Sequence, residues 1–161
     1  MNKGKKYSSR RKMRMILVMI VYQFELMNEK VSIRKIFEES QAENLFDYYD
    51  LFKKDAKQTY IEQMRILKFL EKHYELLKVL ITKFVREDWT WTRISPLVRS
   101  ILLCACIELK KLDLGIVSNE YVSMTRDFIP RSDEYKFVNI VIEKVEKFYH
   151  EKNLKASNPK T

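Results

Sequence analysis

Apolar residues recur at intervals of three and four positions along almost the whole chain, and only two glycines and three prolines interrupt them. This spacing places apolar side chains on one face of an α-helix, whereas a half-buried strand requires strict alternation, which the sequence lacks. A chain of 161 residues is long enough to bury a sizeable core as one domain. The sequence therefore predicts an all-α protein folded as a helical bundle.

Six helical segments are predicted, and their ends are marked by serine, proline and glycine. Ser8 or Ser9 caps the first segment, and Ser95-Pro96 starts the fourth, because serine accepts a hydrogen bond from a free backbone N–H and proline has no N–H to leave unpaired. Gly115 separates the fourth segment from the fifth, and Ser132 caps the last. The segments span about 9–27, 32–52, 55–85, 95–109, 116–130 and 132–149, with breaks near Asn44 and His73 left open.

The cysteines and histidines give no sign of a catalytic or metal site. Cys104 and Cys106 lie two positions apart in an apolar helix, so their side chains point to nearly opposite sides, and we predict that both are core residues. His73 and His150 are the only histidines, and neither has the spacing of a nucleophile or zinc site. The apolar run of the first helix is too short to span a membrane and is followed by no signal-peptide cleavage site. The sequence predicts a cytoplasmic protein that is not an enzyme and has no cofactor.

Positive charge is concentrated at the amino terminus. Seven of the first fourteen residues are Lys or Arg and none is acidic, whereas residues 15–146 carry 20 basic and 21 acidic side chains. Each exposed cation in the first turn of a helix interacts unfavourably with the helix dipole, which destabilises the helix by about 0.3–1 kcal/mol. Phosphates docked at the helix start would offset that cost. The asymmetry predicts a polyanionic partner, either nucleic acid or an anionic membrane surface, with a solvated basic tail as the alternative.

Several sequence blocks resemble the NusB family of transcription antitermination factors. The first block comprises residues 10–14 and, eight positions further on, residues 22–26. The second runs over residues 89–109, and the third comprises Asn119-Glu120 and the Lys-Phe-Val-Asn sequence at 136–139. The blocks occur in the family's order and close to its spacing, so the chain is identified as a member of this family by resemblance.

The run of cations predicts a flexible basic arm at about 1–8, and the polar composition of about 150–161 predicts a disordered tail. The resemblance implies two three-helix subdomains packed together, over about 9–86 and 87–149. It also implies binding of a single-stranded RNA element, boxA, in ribosomal RNA leader transcripts, together with the ribosomal protein NusE, within a complex that helps RNA polymerase avoid premature termination. The RNA-binding residues carried over from the family are Lys6, Arg10, Arg11, Lys12, Arg14, Lys136 and Phe137. Those carried over to the NusE contact are Tyr22 and Arg99.

Several alternatives stay open on the sequence. Phe137 and Tyr22 have the spacing of ordinary core residues as well as that of contact residues. Val98 and Leu103 stand where many members of the family carry an acid and an arginine, which puts the NusE contact in doubt. A scaffold for the ribosomal protein with little RNA binding of its own is the second functional hypothesis. The sequence does not distinguish a monomer from a homodimer, or specify the preferred RNA.

Overall fold

The computed structural model describes residues 8–28, 30–43 and 47–155, and its regular elements over these ranges are all helical. The seven α-helices are α1 (Ser9–Leu26), α2 (Ile33–Ala42), α3 (Tyr48–Phe52), α4 (Ala56–Lys83), α5 (Pro96–Glu108), α6 (Leu114–Phe128) and α7 (Glu134–Glu151). Short 3-10 turns at Lys53–Asp55 and Trp91–Arg93 precede α4 and α5. The predicted all-α class is confirmed.

The chain divides into two compact units, the first ending at Phe69 and the second beginning at Leu70. This division lies inside α4, which runs for 28 residues without interruption. The break considered near His73 is therefore absent, and the division lies upstream of the subdomain limit that the family resemblance places near residue 86. A helix that long can serve two cores, because its apolar side chains continue at helical spacing along its whole length.

Serine caps begin three of the helices. Ser8, Ser32 and Ser95 each have an extended backbone, and the side-chain oxygen of each accepts a hydrogen bond from the backbone N–H three residues further on, at 3.2, 3.1 and 3.4 Å respectively. Loss of such a cap typically costs about 1 kcal/mol. The predicted starts of the first and fourth segments are thus confirmed, with Ser8 as the cap of α1.

Two other helix starts differ from the sequence-based expectation. Gly115 lies in the first turn of α6, with Asp113 at the N-cap position, so this glycine is part of a helix and not of a loop. Its φ is not positive, and the turn therefore makes no use of glycine's extra conformational freedom. Ser132 lies one position before the N-cap of α7 and accepts a hydrogen bond from the backbone N–H of Glu134 at 3.2 Å.

In the first unit, α1 packs against α2 and α3, and the start of α4 joins them through rings and one amide. The ring of Phe37 on α2 stacks on that of Tyr60 on α4 with centroids 5.0 Å apart, and the Tyr48 ring of α3 meets both edge-on. Such ring pairs contribute about 0.5–1.5 kcal/mol each beyond their buried area. The buried Gln63 amide donates a hydrogen bond to the carbonyl oxygen of Met13 at 3.0 Å, which ties α4 to α1.

In the second unit, α5 is the central helix and packs against α6 and α7. Ten consecutive residues of α5, Val98–Ile107, are buried, as expected for a helix that is apolar on every side. The hydroxyl of the buried Tyr149 on α7 donates a hydrogen bond to the carbonyl oxygen of Cys106 at 3.0 Å. Cys104 and Cys106 are both buried free thiols, which confirms that they are core residues.

The ends of the described ranges bear on three sequence-based expectations. Helix α7 continues through His150 to Glu151, so the start of the predicted tail is helical. The side chain of Lys155 donates hydrogen bonds to Glu146 and to the carbonyl oxygen of Leu112, so the described chain is held in place beyond the helix. Lys6 and the rest of the arm to residue 7, the break at Asn44, and the tail from residue 156 lie outside the described residues.

Candidate nucleic-acid interface

The structure separates the basic residues at the start of α1 into an accessible pair and a buried pair. Arg10 is exposed and Lys12 is half-buried. Arg11 and Arg14 retain only 7% and 4% of their accessible surface. Positions three apart lie on the same side of a helix, so the second pair shares a face that turns away from solvent. Of these four cations, Arg10 and Lys12 are the ones that a ligand in solution can readily reach.

The accessible pair lies where a helix attracts anions. The first turn of α1 contains no acidic residue, so no carboxylate there offsets the positive end of the helix dipole. Lys12 also contributes to the lowered pKa of Asp50 on α3, although the hydrogen bond and charge interaction of Asp50 with Lys53 are the chief causes. Backbone N–H groups, the dipole and the Arg10 guanidinium together suit a phosphate group.

The second unit contributes Lys136 and Phe137 from the first turn of α7. Lys136 is exposed, and its ammonium group lies 3.0 Å from a carboxylate oxygen of Asp133, whose hydrogen bond raises the pKa of this lysine. Phe137 is half-buried, and its ring packs against that of Trp89 with centroids 5.5 Å apart and planes at 46°. Phe137 is therefore neither a plain core residue nor a fully open ring.

Tyr22 and Arg99, the residues carried over to the protein partner, differ in accessibility. Tyr22 is half-buried on α1, so part of its ring remains at the surface. Arg99 is buried on α5, where its guanidinium lies over the Trp91 ring at 5.6 Å and donates to the Trp91 carbonyl oxygen at 3.4 Å. Val98 and Leu103 on α5 are also buried, so the two residues that depart from the family pattern are core residues of the second unit.

The described candidate RNA-binding residues thus form one group in each unit. The first unit carries Arg10 and Lys12 on different sides of the first turn of α1, flanking the buried pair Arg11 and Arg14. The second unit carries Lys136 and places the Phe137 ring against that of Trp89. The family resemblance does not assign Trp89 to RNA binding. The Trp-Thr-Trp sequence was the available signal, but spacing alone does not say which of its two rings is buried.

A metal-binding cluster and a membrane-spanning helix are both absent from the part of the chain that the structure describes. Within residues 8–28, 30–43 and 47–155, no three His, Cys, Asp or Glu side chains are placed to hold a metal ion. His73 is half-buried on α4, and His150 on α7 contacts Glu146 at 3.0 Å. Over the same ranges, the helices are all too short or too polar to cross a membrane.

Comparison with known proteins places the chain in a family. The sequence model of the NusB family matches residues 11–147. The transcription antitermination protein NusB of Methylacidiphilum infernorum is 29% identical over 141 residues, which cover 85% of this chain and 90% of that protein. A Rhizobium etli protein of the same name is 34% identical over 74 residues, 44% of this chain and 46% of that one. The structure of T. maritima NusB has the same fold, with a TM-score of 0.72 at 21% identity over 93% of this chain and 98% of that one. The family match over most of its length shows that this chain belongs to the NusB family.

Proposed function

We propose that this protein is a transcription antitermination factor that binds boxA-type single-stranded RNA of ribosomal RNA leader transcripts together with the ribosomal protein NusE. The observation that carries the proposal is the accessible Arg10 and Lys12 at the amino end of α1, in a chain of the NusB family. The names of its relatives, transcription antitermination protein, support the same role. The protein acts by binding RNA and protein and not by catalysis.

In this proposal, Arg10 and Lys12 bind phosphates of the RNA backbone. The Arg10 guanidinium can donate charge-assisted hydrogen bonds to a phosphate, and the dipole of α1 favours an anion at the same place. Arg11 and Arg14 add positive potential from beneath, while their burial assigns them mainly to holding the helix start in position. Lys6 belongs to the same proposed cluster but lies outside the described residues.

Lys136 and Phe137 form the second proposed group, on the other unit. Single strands are bound by cations that follow the backbone and by aromatic rings on which bases stack. Lys136 can serve as such a cation, because its exposed pair with Asp133 is weak enough for a phosphate to compete with it. Tyr22 of the first unit is a proposed contact to NusE, and Arg99, which lies over the Trp91 ring in the second unit, is the other residue proposed for that partner.

We expect the double substitution Arg10→Ala/Lys12→Ala to weaken binding of a labelled boxA-like single strand about 30-fold, since two exposed phosphate contacts contribute roughly 1 kcal/mol each. The slope of log affinity against log salt concentration should fall by about 1.4, because each contact to a single strand releases about 0.7 counterions. Fluorescence anisotropy at two or more salt concentrations, with and without NusE, measures both quantities.

The matched control is Arg34→Ala/Lys35→Ala, which removes the same charge from exposed positions of α2 in the same unit. We expect this control to reduce affinity by less than about threefold. Equal losses in the two variants would show that α1 is not the binding site. If the wild-type protein binds NusE but shows no salt-dependent affinity for RNA, the antitermination proposal is replaced by the protein-scaffold hypothesis.

A further inference from the structure

Trp89 is a large aromatic side chain that the core of the second unit does not use. It retains 36% of its accessible surface, whereas Trp91, two residues further on, retains 8%. Trp91 packs edge-on against the ring of Tyr74 and lies under Arg99, so it belongs to the core. The ring of Trp89 contacts that of Phe137, which is itself half-buried. The two rings together form a partly exposed aromatic surface, here called the Trp89–Phe137 pair.

Backbone hydrogen bonds hold the loop that carries Trp89. The Trp89 N–H donates to the carbonyl oxygen of Arg86 at 2.9 Å, and the N–H of Arg93 donates to that of Thr90 at 3.0 Å. The guanidinium of Arg93 reaches back to the carbonyl oxygen of Asp88 at 3.1 Å. On the other side, Phe137 is fixed by α7. Both rings are therefore held in place before any ligand arrives, which lowers the entropic cost of binding.

The segments that carry the Trp89–Phe137 pair hold two accessible cations, Arg93 and Lys136, alongside the acidic residues Glu87, Asp88, Asp133 and Glu134. Arg93 is exposed, and its guanidinium donates a hydrogen bond to a neutral carbonyl group, so that bond does not offset its positive charge. Lys136 precedes Phe137 and forms only an exposed pair with Asp133. Exposed pairs of this kind contribute about 0–1 kcal/mol, so a phosphate can replace the carboxylate. Aromatic rings between accessible cations are the arrangement by which proteins hold single-stranded nucleic acid.

We infer that the Trp89–Phe137 pair is a stacking site for a base of single-stranded RNA, with Arg93 and Lys136 contacting the adjacent phosphates. This inference rests on the proposed function and extends it to Trp89 and Arg93. A purely apolar protein segment would suit the rings but would leave the two cations without a role. The site takes an unpaired base, because a base in a duplex has both faces covered by its neighbours.

The test is titration with a boxA-like single-stranded RNA, read by tryptophan emission and by anisotropy. We expect the RNA to quench the emission of the wild-type protein and Trp89→Ala to bind it about tenfold more weakly, in the range for loss of one base stack. Trp89→Phe keeps a ring, so its affinity should stay within about threefold while the quenching disappears, since the buried Trp91 is then the remaining fluorophore. Leu76→Ala removes an exposed apolar side chain from α4 in the same unit and should change neither signal.

The possible results separate this inference from the proposed function. If Trp89→Ala binds RNA as the wild type does and saturating RNA leaves the emission unchanged, the stacking site is wrong, although loss of binding in Arg10→Ala/Lys12→Ala would still support the function. If Trp89→Ala weakens NusE binding and not RNA binding, the pair is a protein contact. If the wild-type protein binds no RNA, the function and the stacking site both fail. Thermal unfolding of each variant verifies that the fold is retained.

Discussion

Between pH 7 and pH 10 we expect the free energy of unfolding to fall by about 3 kcal/mol on account of two buried thiols alone. Burial raises the pKa of the Cys106 thiol to about 12, and burial also raises the pKa of Cys104, with a further effect of the nearby Glu108 carboxylate. Both thiols therefore stay protonated in the folded protein at a pH where they ionise in the unfolded chain.

The sign of the effect follows from the direction of the shifts. A group whose pKa is raised on folding contributes its full stabilisation below the pKa of the unfolded chain, which is 9.0 for a free thiol. Above that pH the unfolded state gains by releasing the proton, and stability falls by about 1.4 kcal/mol per pH unit for each thiol until the folded-state pKa is reached. The loss from Cys106 therefore extends from about pH 9 to about pH 12.

The measurement is urea denaturation under reducing conditions at pH 7, 8, 9 and 10, for the wild type and for Cys104→Ala/Cys106→Ala. The double variant should be less stable at pH 7, because two small cavities form, but it should lose about 3 kcal/mol less than the wild type on going to pH 10. Burial also raises the pKa of Tyr48 and Tyr149, so a residual decline above pH 10 is expected in both proteins. Parallel pH profiles for the two proteins would contradict the assignment.

The helices could largely be predicted from sequence because their signals are local. Ser95-Pro96 specifies a helix start through hydrogen-bonding chemistry that is independent of the rest of the fold, and α5 begins there. Gly115 shows the limit of such local signals. Glycine favours a helix end but does not enforce one, and here it lies in the first turn of α6. The continuity of α4 past His73 depends on which side chains pack against it, and that information is not local.

The candidate site was predictable in its location but not in its division into exposed and buried residues. A run of cations identifies the start of α1, but helical spacing alone cannot say which face of a largely apolar helix meets solvent. Burial of Arg11 and Arg14 depends on packing by the rest of the protein. Likewise, two tryptophans separated by a single residue look equivalent in sequence, and only the turn at Trp91–Arg93 places one ring inside and leaves the other accessible.

The second large effect is expected at the end of the described chain, where Lys155 and Glu146 form a nearly buried ion pair. The Lys155 ammonium lies 2.6 Å from a carboxylate oxygen of Glu146, and their side chains keep 16% and 9% of their accessible surface. It also donates to the Leu112 carbonyl oxygen at 3.0 Å, which joins this segment to the loop before α6. The other described contact to the same carboxylate oxygen comes from His150, whose side chain is mostly exposed.

We expect Lys155→Met to lower the free energy of unfolding by about 3 kcal/mol, because it leaves the Glu146 carboxylate buried without its main cation. Lys152→Met, which removes an exposed lysine at the C-cap of α7, should cost less than about 0.5 kcal/mol. Urea denaturation at pH 8 compares the two. Equal stabilities would show that the Lys155 contact is not formed in solution.

The double variant Glu146→Leu/Lys155→Met separates the pair itself from the burial of a lone charge. Replacing both members of a buried ion pair by apolar residues is often nearly neutral, so most of the loss in Lys155→Met should be recovered. Full recovery would mean that the ion pair contributes little net stability. The loss in Lys155→Met would then come from leaving the Glu146 carboxylate buried without a partner. Persistent loss in the double variant would instead assign the stabilisation to the hydrogen bond between Lys155 and the Leu112 carbonyl oxygen, and so to the attachment of the chain after α7 to the loop between α5 and α6.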